Sequence, residues 1–206
     1  MPSIDPAYGE ACTATMSPML RKLVVDNTTV NKGVAASWNL GIDAAEQAGA
    51  DWLVICSESM RFGRAGGEDF EARLGRGVTW GYCDRTCTED GIGAGYCRDG
   101  YGWHLVGIEM AAIRRVGRFD ERFYPAWWED TDWTRRAELV GGVGGQKTYG
   151  IDAHLAAVEH TLAAGLVTGG WGDTMHVYVE KWGGQPGDEK WDRPYGRHPL
   201  THVGPA

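Results

Sequence analysis

A chain of 206 residues that is 43% hydrophobic and 23% charged can bury a sizeable core, and one domain is the default expectation. Its formal net charge of -8 and the lack of any Lys/Arg run argue against a nucleic-acid partner. No apolar run is long enough to span a bilayer, and residues 1–5 lack the basic and apolar segments of a signal peptide, so a cytoplasmic location is expected. The five cysteines, Cys12, Cys56, Cys83, Cys87 and Cys97, have no paired CxxC spacing, and reduced thiols are the expectation in that compartment.

The first residues read as the end of a strand, and residues 6–20 as a helix weakened by Gly9 and Pro18. Residues 22–27, a β-branched run closed by Asp26 and Asn27, read as a buried strand. From Gly33, the spacing of Val34, Trp38, Ile42 and Ala45 predicts an amphipathic helix that stops near Gly49. Residues 51–56 form the next strand, and strand-helix-strand over this length implies a right-handed parallel crossover in an α/β sheet. Ligands in such sheets lie beyond the carboxyl ends of the strands, which places Asp26 and the segment Ser57, Glu58, Ser59 beside one crevice.

Residues 63–102 are rich in glycine, with a short helical pattern at 68–74 and a strand at 78–82. The second half reads as a mobile loop, either a substrate lid or disorder, and its flanking Tyr96, Tyr101 and Trp103 favour binding. A strand at 104–108, a helix at 109–116 and a helix at about 130–139 follow. The last of these begins behind Trp127, Trp128, Glu129, Asp130 and Asp132, a run of paired aromatics and paired carboxylates. Aromatic faces stack on sugars, and a carboxylate behind them can take a proton from a bound hydroxyl. The competing reading is ordinary: acidic residues in a first turn complement the helix dipole, and Asp132 lies four residues before Arg136, the spacing of a surface ion pair. Phe119 and Phe123 read as core, Asp120 as the holder of the turn between them, and one of the two tryptophans as buried with the other exposed.

Three motifs in this order, Val24-Val25-Asp26-Asn27, Asn31-x-Gly33 with Asn39-x-Gly41, and Gly117-x-Phe119-Asp120-Glu121-x-Phe123 followed by Glu129-Asp130-x-Asp132, resemble the inverting family 2 glycosyltransferases. The resemblance runs from about Pro2 to His160, and the tail at 178–184 is similar to that of small bacterial and phage members. It implies a GT-A fold: a Rossmann-like, mostly parallel sheet flanked by helices, here with a shortened first strand. Residues 1–145 would be the nucleotide-sugar-binding and catalytic core, and 146–206 a C-terminal extension completing the site within one structural domain.

The same resemblance implies a nucleoside-diphosphate sugar as donor, a UDP-sugar favoured, bound by Pro2, Ser3, Asp26, Asn31, Asn39 and Glu58. Asp26 would accept from a ring N–H of a pyrimidine base; its other reading is a cap on the following turn. Glu58 stands where the family has the last aspartate of its metal motif, and Cys56 where Asp or Asn is common. With His160, Glu58 would hold Mn²⁺ or Mg²⁺ together with the donor diphosphate. Asp130 would be the catalytic base, Glu129 would orient the acceptor or the helix end, and Trp127, Trp128 and Trp103 would line the acceptor site. By association with the Trp- and Gly-rich composition, the acceptor expected is a cell-envelope glycan or a virion protein, and the short first strand leaves an edge at which a homodimer could form. The main alternative is a nucleotide-sugar or glycan-binding module without turnover. A nucleotidyltransferase ranks third, because residues 1–30 hold no Gly- and Lys/Arg-rich phosphate loop.

Overall fold

A computed structural model of the chain describes residues 1–3, 5–83, 103–155 and 174–196. It is a mixed α/β structure in which the described residues form six helices and three small sheets. Strand β1 (Pro2–Ser3) pairs in parallel with β2 (Val25–Asp26), which sets Ser3 opposite Asp26. Helix α1 (Pro6–Thr15) lies between them in sequence and starts where the Asp5 carboxylate accepts from the Ala7 N–H at 2.9 Å. Helix α2 (Val34–Gln47) turns Ala35, Trp38, Ile42 and Ala45 into the core, the stripe expected from their spacing.

The largest sheet has the order β3-β6-β5-β7, made of β3 (Trp52–Cys56), β5 (Val78–Cys83), β6 (Leu105–Glu109) and β7 (Gly145–Ile151). β6 runs antiparallel to both β3 and β5, and β7 runs parallel to β5. Strands β4 (Met60–Phe62) and β8 (Ala153–Leu155) form a further antiparallel pair. The expected mostly parallel sheet is therefore corrected, since antiparallel pairings predominate among the described strands. Strand β2 belongs to a different sheet from β3, so no hydrogen-bonded parallel crossover joins them. An apolar run shows that a strand is buried but not which way its neighbour runs, and that is where the sequence reading parted from the fold. Residues 145–155 enter these sheets through β7 and β8.

Helices α3 (Glu68–Glu71), α4 (Met110–Val116), α5 (Glu129–Val140) and α6 (Met175–Trp182) complete the described elements. The main core joins Trp38 and Ile42 of α2, Ile55, Val106 and Ile108 of the sheet, Ile113 of α4 and Trp133 of α5. A second cluster collects Cys12, Cys56, Met60, Phe62 and Phe70, and a third holds Phe123 against Tyr178 and Trp182 of α6. No helix among the described residues is long and apolar enough to cross a membrane.

Candidate functional site

The start of α5 is built on a loop that α2 holds in place. The Asn39 side chain, 3% exposed, donates to the Phe119 carbonyl at 3.0 Å and to Glu121 Oε1 at 2.8 Å, and accepts from the Phe119 N–H at 2.9 Å. Its polar atoms are thus engaged inside the protein. Phe119 is buried and meets Trp38 edge-on at 4.9 Å, while Trp103 stacks on Trp38 at 5.7 Å and packs edge-on against Trp133. Trp103 is thus partly buried and packs against the aromatic core.

The loop then passes beneath the β2–α2 connection. The Tyr124 hydroxyl donates to the Asn31 carbonyl at 3.2 Å, and the Pro125 carbonyl accepts from the Val34 N–H at 2.9 Å. Gly33, at φ 82°, permits this approach: a Cβ there would stand 2.9 Å from the Tyr124 ring and 3.1 Å from the Pro125 carbonyl oxygen. Asn31 uses its own Oδ1 to accept from the Gly33 N–H at 2.8 Å. The segment expected to face the donor and the segment that leads into α5 are therefore fastened together.

Trp127 and Trp128 follow at φ 81° and 71°, a left-handed conformation that costs a non-glycine residue on the order of 1–3 kcal/mol and has to be held by its surroundings. Here the buried Thr174 hydroxyl, at 2.9 Å from both the Ala126 and Trp127 carbonyls, supplies part of that hold. Both tryptophans are half-buried, so the expected division into one buried and one exposed ring is not found. Trp128 leans on Tyr178 at 6.3 Å.

The turn delivers two carboxylates into a poorly solvated place. Glu129 is 5% exposed and its Oε2 accepts no hydrogen bond among the described residues. Burial, reinforced by the neighbouring Asp130 charge, holds its carboxyl well above the ordinary glutamate range. Asp130 is half-buried; its Oδ1 accepts from the Thr131 N–H at 2.7 Å and the Thr131 hydroxyl at 3.2 Å. Burial outweighs those bonds and raises its carboxyl above the usual aspartate value.

Asp132, one residue further on, has the opposite environment. It is fully buried, and its Oδ1 accepts from Trp182 Nε1 at 3.0 Å and pairs with Lys181 Nζ at 2.8 Å, while Oδ2 accepts from Arg136 Nε at 3.0 Å. The Asp132–Arg136 pair expected at the surface is thus formed in the interior. Lys181, 5% exposed, also reaches Asp120 Oδ2 at 2.7 Å, and Asp120 pairs in addition with Arg122. Burial pushes the Asp120 carboxyl up, but Arg122 and Lys181 together hold it far below the ordinary range. Sequence reasoning missed Lys181, although its place beside Trp182 and three residues after Tyr178 puts a lysine on the buried stripe of α6.

The donor-side residues are brought together only in part. Pro2, Ser3 and Asp26 meet at the β1–β2 pairing, with Ser3 buried and its hydroxyl donating to the Asp5 carbonyl at 3.0 Å. Asp26 is exposed and its Oδ1 accepts from the Thr28 hydroxyl and N–H at 2.6 and 2.8 Å, which caps the turn and lowers its pKa. Glu58 lies two residues beyond β3 and is 6% exposed, with Arg61 held against its carbonyl at 2.8 Å. The described residues contain no group of three His, Cys, Asp or Glu side chains able to hold a metal ion, and His160 lies outside them. No known protein family, characterised protein or solved structure matches the chain.

Proposed function

We propose that the chain is an inverting glycosyltransferase of the GT-A kind, moving a sugar from a nucleoside-diphosphate sugar, a UDP-sugar by preference, to an acceptor hydroxyl. The observation that carries this reading is the Asp130 carboxylate: it is half-buried with a raised pKa, at the start of a helix, behind a strained pair of tryptophans. A base of this kind gains proton affinity without losing access, which suits removal of a hydroxyl proton. Asp130 would accept that proton as the acceptor oxygen attacks the anomeric carbon from the face opposite the leaving nucleoside diphosphate. Glu129, behind it and short of a hydrogen bond, would hold a proton and orient the acceptor or Asp130 itself. Trp127 and Trp128 would offer ring faces to the sugars.

Asp26 supports the donor half, because its capping bonds fall on Oδ1 at an exposed strand end beside Ser3. For a metal, Glu58 offers one carboxylate, and the described residues do not by themselves complete a site; Mn²⁺ or Mg²⁺, held also by the diphosphate oxygens, would neutralise charge on the leaving group. A nucleotide-sugar or glycan-binding module without turnover is the second reading, favoured by the inward commitment of Asn39 and Trp103.

Thermal stability against a panel of nucleoside diphosphates and nucleotide sugars, each with and without Mn²⁺, separates these readings when combined with a donor-hydrolysis assay. A shift with one nucleotide together with slow release of its sugar supports the transferase. A shift without hydrolysis or transfer to any acceptor supports a nucleotide-sugar-binding module, and no shift with any nucleotide removes the transferase and leaves only a glycan-binding module.

A further inference from the structure

Cys12 of α1 and Cys56 at the end of β3 stand apart from the carboxylate site, in the second core cluster. Their Sγ atoms are 4.0 Å apart, across 44 positions of sequence, and both side chains are buried, at 0% and 4% exposed. Both thiols point at one acceptor, the Ser57 carbonyl, at 3.7 Å from Cys12 Sγ and 3.2 Å from Cys56 Sγ. Cys56 also lines a groove of about 790 Å³ walled by Met1, Met16, Leu53 and Phe70, which reaches the surface at the exposed Met19 and Leu23. Cys56 is thus among the residues that line the groove, whereas Cys12 is not.

We propose that Cys12 and Cys56 form a dithiol redox site that reacts with a low-molecular-weight disulfide entering by this groove. The Cys56 thiolate attacks one sulfur of the reagent, forming a mixed disulfide and releasing the first small thiol. The Cys12 thiolate then attacks Cys56 Sγ, closing the internal disulfide and releasing the second small thiol. The two protein thiols lose two electrons and two protons in all, and the reagent gains both as two thiols. Closure from 4.0 Å to the bond length of about 2.05 Å takes a small approach of two side chains already in contact. The bond would tie α1 to the end of β3, two residues before Glu58, and it does not depend on the transferase reading.

The test uses the full chain carrying Cys83→Ser, Cys87→Ser and Cys97→Ser, treated with glutathione disulfide under native conditions, with wild-type protein mapped in parallel. Expected are loss of both titratable thiols, a peptide pair linked through Cys12 and Cys56, a melting temperature higher by about 5–10 °C, and reversal by dithiothreitol. Adding Cys12→Ser should leave a stable glutathione adduct on Cys56. A stable adduct in the chain that keeps both cysteines, two unreacted thiols, or a linked peptide obtained only after unfolding in urea would overturn the proposal. The linked peptide in wild-type protein decides the matter if the triple variant does not fold.

Discussion

Three carboxylates within four residues at the start of α5 meet two different fates. Asp132 is surrounded by Lys181, Arg136 and the Trp182 N–H, and through Lys181 it is joined to Asp120 and Arg122. Glu129 and Asp130 are desolvated and have no ion pair among the described residues, and their proton affinity rises where that of Asp120 falls. The contrast teaches that an acidic cluster in a first turn is not one feature. A cation brought in by a distant helix joins Arg136 in turning one carboxylate into a structural joint, while burial raises the proton affinity of its neighbours.

Removing the cation from the joint should have the largest effect on folding. Lys181→Met leaves Asp120 and Asp132 buried with fewer partners and is expected to cost about 3–5 kcal/mol in urea unfolding. A loss below 1 kcal/mol would mean that the arginines already suffice. On the reactive side, Asp130→Asn should lower transfer by roughly 10²–10⁴-fold with the melting curve and nucleotide shift retained. Parallel loss of nucleotide binding would instead place Asp130 with the structural carboxylate.

Glu129→Gln sharpens the same contrast through stability. The folded Glu129 carboxyl binds its proton more tightly than the unfolded one, whose ordinary value is 4.5, so its contribution is present below that value and is lost as pH rises through the folded pKa. The amide should therefore stabilise the protein by about 1–3 kcal/mol at pH 8 and flatten the decline above pH 5. Asp120 works with the opposite sign: its lowered carboxyl stabilises the fold above the ordinary 3.8 and loses that contribution as pH falls through the folded value. Asp120→Asn should accordingly blunt acid unfolding, which a pH series of melting temperatures would show.

The smallest effect on folding is expected at Asp26, which is exposed and caps only a local turn. Asp26→Ala should leave the melting temperature nearly unchanged while weakening the nucleotide-induced shift. An unchanged nucleotide shift would return Asp26 to a purely local role.

Local periodicity made α2, β3, β6 and the helices at 110–116 and 129–140 legible, because a buried stripe imposes its spacing on the chain wherever its partner lies. The adjacency of Glu129 and Asp130 was likewise visible, and so was the burial of Phe119 and Phe123. Sequence alone did not reveal that Asn39 holds the Phe119 backbone, that Trp103 joins the core, that β6 reverses the sheet, or that Lys181 reaches Asp120 and Asp132. Spacing along the chain encodes which face of an element is turned inward. The group met there is chosen by segments tens of residues away, and only tertiary packing decides whether a buried polar atom finds a cation, a carbonyl or nothing.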